Sequence, residues 1–139
     1  MKAKLFLLLL FPLALFAADD HGTVKVEILE QSDAMWNGKK LPAYPKEDPE
    51  VSVVKVTIPP HTKLKWHKHP CINAGYLISG ELLVTAEGGE TKQLKAGDAL
   101  IELVDTWHYG ETVGDSAAEI VVVYVGVKGM PLSIGKPVE

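Results

Sequence analysis

From Val51 to Val127 the chain is a succession of short apolar runs cut by turn formers, and no stretch of about ten or more residues repeats its apolar positions at helical period. Val51 to Ile58, Leu64 to His69, Gly75 to Ile78, Glu81 to Ala86, Ala99 to Val104 and Glu119 to Val127 read as strands. Pro59-Pro60, Ser79-Gly80, Gly88-Gly89, Gly97-Asp98 and Gly114-Asp115 supply the turns between them. In the run Ile120 to Val127, six of eight residues are Val or Ile, which predicts a strand buried on both faces. Thr23 to Leu29 alternates well enough for an opening strand, and Asp33 to Pro49, rich in proline and charge, reads as a long arm or lid. Short strands without a helix predict an all-β fold, a barrel or sandwich of antiparallel sheets.

With 139 residues, the chain has room for one domain. Residues 1–18 have the layout of a signal peptide: Lys2 and Lys4, an apolar run from Leu5 to Phe16, then Ala17 and Ala18. A membrane anchor is the alternative, but a dozen apolar residues broken by Pro12 fall short of the ~20 that span a bilayer. The expectation is a secreted or periplasmic protein with no membrane contact after cleavage. Losing the two lysines takes the net charge of −4 two units further negative, which argues against nucleic acid as a partner. Every basic residue is lysine, so an anionic ligand finds no guanidinium fork. Cys71 is the single cysteine and excludes an internal disulfide.

His67-Lys68-His69 places two imidazoles on one face of a strand, the spacing a shared metal ion requires. Two surface histidines on an exposed strand would read the same way. The residues that follow add to the pair: Asn73, Gly80, Gly97 and His108 stand in an order that resembles the two motifs of the cupin superfamily. The first motif runs His-x-His, a glutamate about four residues on and a glycine about seven beyond it; the second runs from a glycine to a histidine about eleven residues later. The resemblance spans Val51 to about Lys128, and the chain also looks like a subgroup of small secreted single-domain cupins. It implies a single cupin barrel, a double-stranded β-helix or jelly roll, over residues 51–128. Residues 19–50 then form an N-terminal strand and arm, and 129–139 a C-terminal tail. It further implies His67, His69 and His108 as ligands of one divalent transition metal, Fe, Mn, Ni or Zn. Otherwise His108 packs as a core histidine beside Trp107 and Tyr109.

The departures bear on mechanism. Asn73 stands where the family carries a glutamate ligand, His61 where the first motif opens with glycine, and Leu103 and Asp105 where the second has proline and glycine. Three neutral imidazoles would leave a bound ion its full charge, lowering affinity and raising Lewis acidity. Asn73 is a pocket residue with an open role, as weak ligand, hydrogen-bond donor or turn former. Cys71 is a second pocket candidate, with a small buried hydrophobe as the plainer reading. Glu102 and Glu111 flank the second motif, where solvated positions are expected over general-base roles. Trp36 and Tyr44 either close over the barrel mouth or pin the arm to the sheet. Cleavage after Ala18 would expose Asp19-Asp20-His21, a terminus able to hold copper(II) or nickel(II).

The family likeness implies a metal-dependent enzyme, dioxygenase-like, acting on a small organic molecule; related barrels isomerise or decarboxylate. The alternative is a non-catalytic periplasmic protein that binds a metal or small ligand. A metal-free sugar-nucleotide epimerase is disfavoured by the missing arginines and the complete histidine set. Sheet edges make a homodimer the expected assembly.

Overall fold

The structure, a computed structural model, describes residues 22–138. The leader at residues 1–18 and the Asp19-Asp20-His21 motif lie outside the described residues. Among those described, none is helical, and the strands are β1 (Pro49–Ile58), β2 (His67–Lys68), β3 (Ile72–Ser79), β4 (Glu81–Ala86), β5 (Thr91–Lys95), β6 (Ala99–Ile101), β7 (His108–Thr112), β8 (Ala118–Val127) and β9 (Ile134–Gly135). They form two antiparallel sheets, ordered β1-β8-β3-β6 and β5-β4-β7-β2-β9. The chain passes from one sheet to the other at tight corners, the jelly-roll arrangement.

The core lies between the sheets and is built by alternation. On β8, Ala118, Ile120, Val122 and Tyr124 point inward and are buried, facing Leu82 and Val84 of β4 and Leu94 of β5, while Leu100 of β6 joins the cluster from the same sheet as β8. Side chains such as Leu77, Leu94 and Leu100, at most 1% exposed, each contribute about 2 kcal/mol of burial. The outward residues of β8 correct the expectation that both its faces are buried: Val121, Val123 and Val125 are half-exposed. Their neighbours on β1 and β3 flank them, but no second layer covers that face, and Val51 and Val53 are exposed beside them.

The corner between β3 and β4 is one residue, Gly80, with φ of 76°. A Cβ there would lie 2.3 Å from the Ala117 carbonyl oxygen, so the position needs glycine both for conformation and for space.

Thr23 to Leu29 pairs with nothing and forms no strand, which corrects that expectation; Val24, Val26 and Ile28 are exposed. Alternation supplies a face, but a strand also needs a partner edge, and this segment has none among the described residues. The arm is held further along. Met35 is buried against Leu103 and Val104, the Trp36 amide donates to the Ile101 carbonyl, and Tyr44 stays in solvent. The strand pattern of the sequence predicts neither β5 nor β7, because β5 buries only Leu94 outright and β7 carries a histidine and glycine in place of aliphatic residues. The stretch beyond residue 128 joins the second sheet through β9, which pairs with β2.

Candidate metal centre

The two-residue spacing of His67 and His69 aims both rings into the barrel, while Lys68 between them turns outward to Asp105, 3.3 Å away. His108 opens β7 directly across from His67 in the antiparallel register. The three rings lie 4.6–5.1 Å apart by centroid, and one donor nitrogen from each falls within 4.8 Å of the others. His69 and His108 are buried.

Each ring is held by the same device. His67 Nδ1 donates to the Lys65 carbonyl, His69 Nδ1 to the Leu132 carbonyl and His108 Nδ1 to the Thr106 carbonyl, each at 2.8 Å. A carbonyl only accepts, so Nδ1 keeps its proton and Nε2 is the nitrogen left to take a metal. Backbone partners of this kind fix ring orientation and tautomer in metal sites. Burial pushes His69 down to about 4, against a smaller upward push from its bond to Leu132 and from the Glu102 charge. Burial also lowers His108 to about 4, its bond to Thr106 opposing. Both rings are therefore neutral at physiological pH, the form that ligates metal.

Asn73, on the inward face of β3, is 1% exposed; its Nδ2 donates to the Cys71 carbonyl, and its Oδ1 has no protein partner. A buried acceptor without a donor is costly unless something else meets it. With each histidine Nδ1 committed to a backbone carbonyl, the three Nε2 atoms are left as a donor set that suits a divalent transition ion.

Cys71 is buried in the main core, its Sγ close to Gly126 and Met130, and burial raises its thiol; it does not line the histidine cavity. Asn73 is not on the cavity wall either. His61 lies in an exposed turn, 3.1 Å from Asp115.

Glu102 corrects the expectation of a solvated position, because it lines the cavity with the three histidines. Its amide donates to the Asn73 carbonyl, which makes it the cross-strand neighbour of the residue that replaces the family's glutamate. Its Oε1 accepts from the Trp36 indole at 3.0 Å and the Leu103 amide at 2.9 Å, so the arm pins this carboxylate instead of capping the barrel. Glu111, by contrast, turns outward beside Lys63. Tyr124 completes the polar wall, its hydroxyl pushed up to about 12 by burial, with the Glu102 charge adding to the shift. The signal for Glu102 was its two-residue spacing from buried Leu100, which puts both on the inner face; Leu132 acts through its backbone and leaves no sequence signal.

The Cupin domain family profile matches residues 54–124. No curated protein sequence matches the chain. Similar solved structures include an oxalate oxidase in complex with the substrate analogue glycolate, at 24% identity and TM-score 0.52, covering 61% of this chain and 45% of that one. A Bacillus subtilis oxalate decarboxylase with Mn(II) centres matches at 23% identity and TM-score 0.54, over 61% of this chain and 23% of that one. The DMSP lyase DddQ from Ruegeria pomeroyi DSS-3 matches at 20% identity and TM-score 0.55, over 62% of this chain and 43% of that one. The chain thus spans less than half the length of each of these proteins, and at such identities the likeness establishes the fold alone. With the profile running from β1 through β8 and the jelly roll bringing the motif histidines together, the chain belongs to the cupin family.

Proposed function

We propose that this cupin is an exported protein whose His67, His69 and His108 hold one divalent transition metal, and that it acts as a metal-dependent enzyme on a small organic molecule. One observation carries the reading: all three Nδ1 protons are committed to backbone carbonyls, so the three Nε2 atoms are the ones left to ligate, and the three ligand atoms lie within 4.8 Å of one another. A metal held there supplies a Lewis acid with coordination positions open to a ligand. Fe, Mn, Ni and Zn all suit imidazole donors. Dioxygenase-like chemistry rests on family analogy. Glu102 is the one carboxylate on the cavity wall, placed to hold or pass a proton at its free oxygen. That scarcity of acid-base groups favours a second reading, a non-catalytic metal or ligand carrier.

The test is metal content by elemental mass spectrometry on protein recovered from its exported compartment, beside the double variant His67→Ala, His108→Ala. Near-stoichiometric metal that the variant loses supports the site, and the element found directs the activity screen. Protein that holds no metal and gains no thermal stability from any added ion overturns it.

For assembly we propose a homodimer. The alternating Val24, Val26 and Ile28 lack a partner among the described residues, and β1 leaves an open sheet edge in a second copy. Light scattering on native protein and on a Val24→Lys, Val26→Lys variant decides it, since a native monomer or an undisturbed variant dimer would refute this contact.

A further inference from the structure

The histidine cavity is about 90 Å³. For comparison, an engineered apolar cavity of about 150 Å³ holds benzene. Beside the histidines there is room for only a few heavy atoms, and anything longer must project through the open side of the cavity. Away from the histidines the wall is aliphatic, with Val56, Leu64, Leu82 and Val122 among its members. No lysine lines it, and the chain contains no arginine. The single charged group on the wall is Glu102, and it is not free to swing away: the Trp36 indole and the Leu103 amide both hold Oε1.

Resting on the metal-site reading above, we infer that the centre selects a ligand of a few heavy atoms with a metal-binding head that carries at most one negative charge and a short apolar tail, and that Glu102 enforces the charge limit. A single anionic group meets the metal. A dianion puts two charges near the fixed Glu102 carboxylate, even where both of its groups reach the metal, so that repulsion is about twice what a monoanion meets. This separates the chain from the oxalate enzymes whose fold it shares, since oxalate is a dianion without an apolar tail. The tail has a favourable place: one buried methyl adds about 0.8 kcal/mol, roughly a fourfold gain in affinity. A phenyl group exceeds the space.

The test uses full-length protein loaded with cobalt(II), reading ligand binding from the visible absorption of the ion. Four probes separate charge from size: glycolate, 2-hydroxypropanoate, mandelate and oxalate. The expected order is 2-hydroxypropanoate tighter than glycolate by roughly fourfold, with mandelate weaker than both. Glu102→Gln is expected to tighten oxalate about tenfold more than glycolate, because a dianion gains twice from loss of one nearby charge. Trp36→Phe, which removes one of the two bonds that hold the carboxylate and leaves the charge in place, is expected to shift the same ratio in the same direction by less. Mandelate binding as tightly as 2-hydroxypropanoate would overturn the size limit, and an unchanged oxalate-to-glycolate ratio in Glu102→Gln would overturn the role of Glu102. Failure to bind cobalt at all strikes the metal-site reading and is seen before any ligand is added.

Discussion

His69 and His108 combine burial with a fixed tautomer, and the combination has a pH signature in the metal-free protein. Both titrate near 4 when folded, because burial disfavours their charged form, and near the ordinary ~6.5 when unfolded. Between those values the unfolded chain takes up protons that the folded one refuses. Stability is therefore expected to be level above about pH 6.5 and to fall as pH drops towards 4, as two protons are progressively preferred by the unfolded state. Urea midpoints across that range check it, and the double variant His69→Gln, His108→Gln should flatten the slope; an equally steep loss in the variant would assign the acid sensitivity elsewhere. A second residue-scale outcome concerns His61, which stands where the family places glycine and adopts a φ of 54°. Asp105, at the second motif's glycine position, does the same with a φ of 48°. Both keep the left-handed backbone that a glycine adopts without strain, at about 1 kcal/mol or more each. His61→Gly is expected to leave stability unchanged or raise it by up to about 1 kcal/mol, since the exposed contact to Asp115 is worth little. A measured loss above that size in thermal unfolding would show the Asp115 contact to matter.

The motif glycines behave differently from one another at the level of the elements they join. Gly80 forms the corner between β3 and β4, where an added methyl collides with the Ala117 carbonyl and the Ala118 Cα. Gly97, with φ of 95°, turns the chain from β5 to β6 in open space. Gly97→Ala is expected to cost about 1 kcal/mol, the backbone penalty alone, and Gly80→Ala about 3 kcal/mol or more, because a clash with fixed backbone is added to the same penalty. Chemical denaturation of the two variants side by side checks this, and equal losses would mean the corner can relax. Strands that alternate between core and solvent were legible because burial on one side writes a period of two into the sequence, as in β1, β4 and the inner face of β8. β5 was not, since an edge strand of the type Thr91–Lys95 needs only one buried leucine and is kept polar against edge pairing. Thr23 to Leu29 misled for the converse reason: it has the period without the partner. The histidine triad could be read in sequence from its spacing, whereas the cavity carboxylate and the carbonyls that orient the rings depend on which strands become neighbours.

At the scale of the molecule, the site gathers the two ends of the described chain onto the barrel. The arm reaches it through Trp36 and Glu102, and the C-terminal stretch through the Leu132 carbonyl on His69, with β9 alongside β2 and the Lys136 amide bonded to the Trp66 carbonyl. A strand of two residues such as β9 is held weakly by its own hydrogen bonds and opens locally well below the free energy of global unfolding. Fixing His69 by a metal removes one route to that opening, since the ring can no longer turn away from Leu132. A metal at about 100 times its Kd stabilises the fold as a whole by about 2.7 kcal/mol, which slows exchange of amides that require global unfolding. Coupling to the tail makes a further claim: the Lys136 amide, which exchanges through local opening in the metal-free protein, should slow on metal loading by roughly tenfold or more, approaching the core amides of β8. Hydrogen exchange read residue by residue, with and without metal, separates the two effects. If core amides slow while Lys136 exchanges at its metal-free rate, the metal stabilises the barrel without recruiting the tail, and the Leu132 carbonyl only orients a ring.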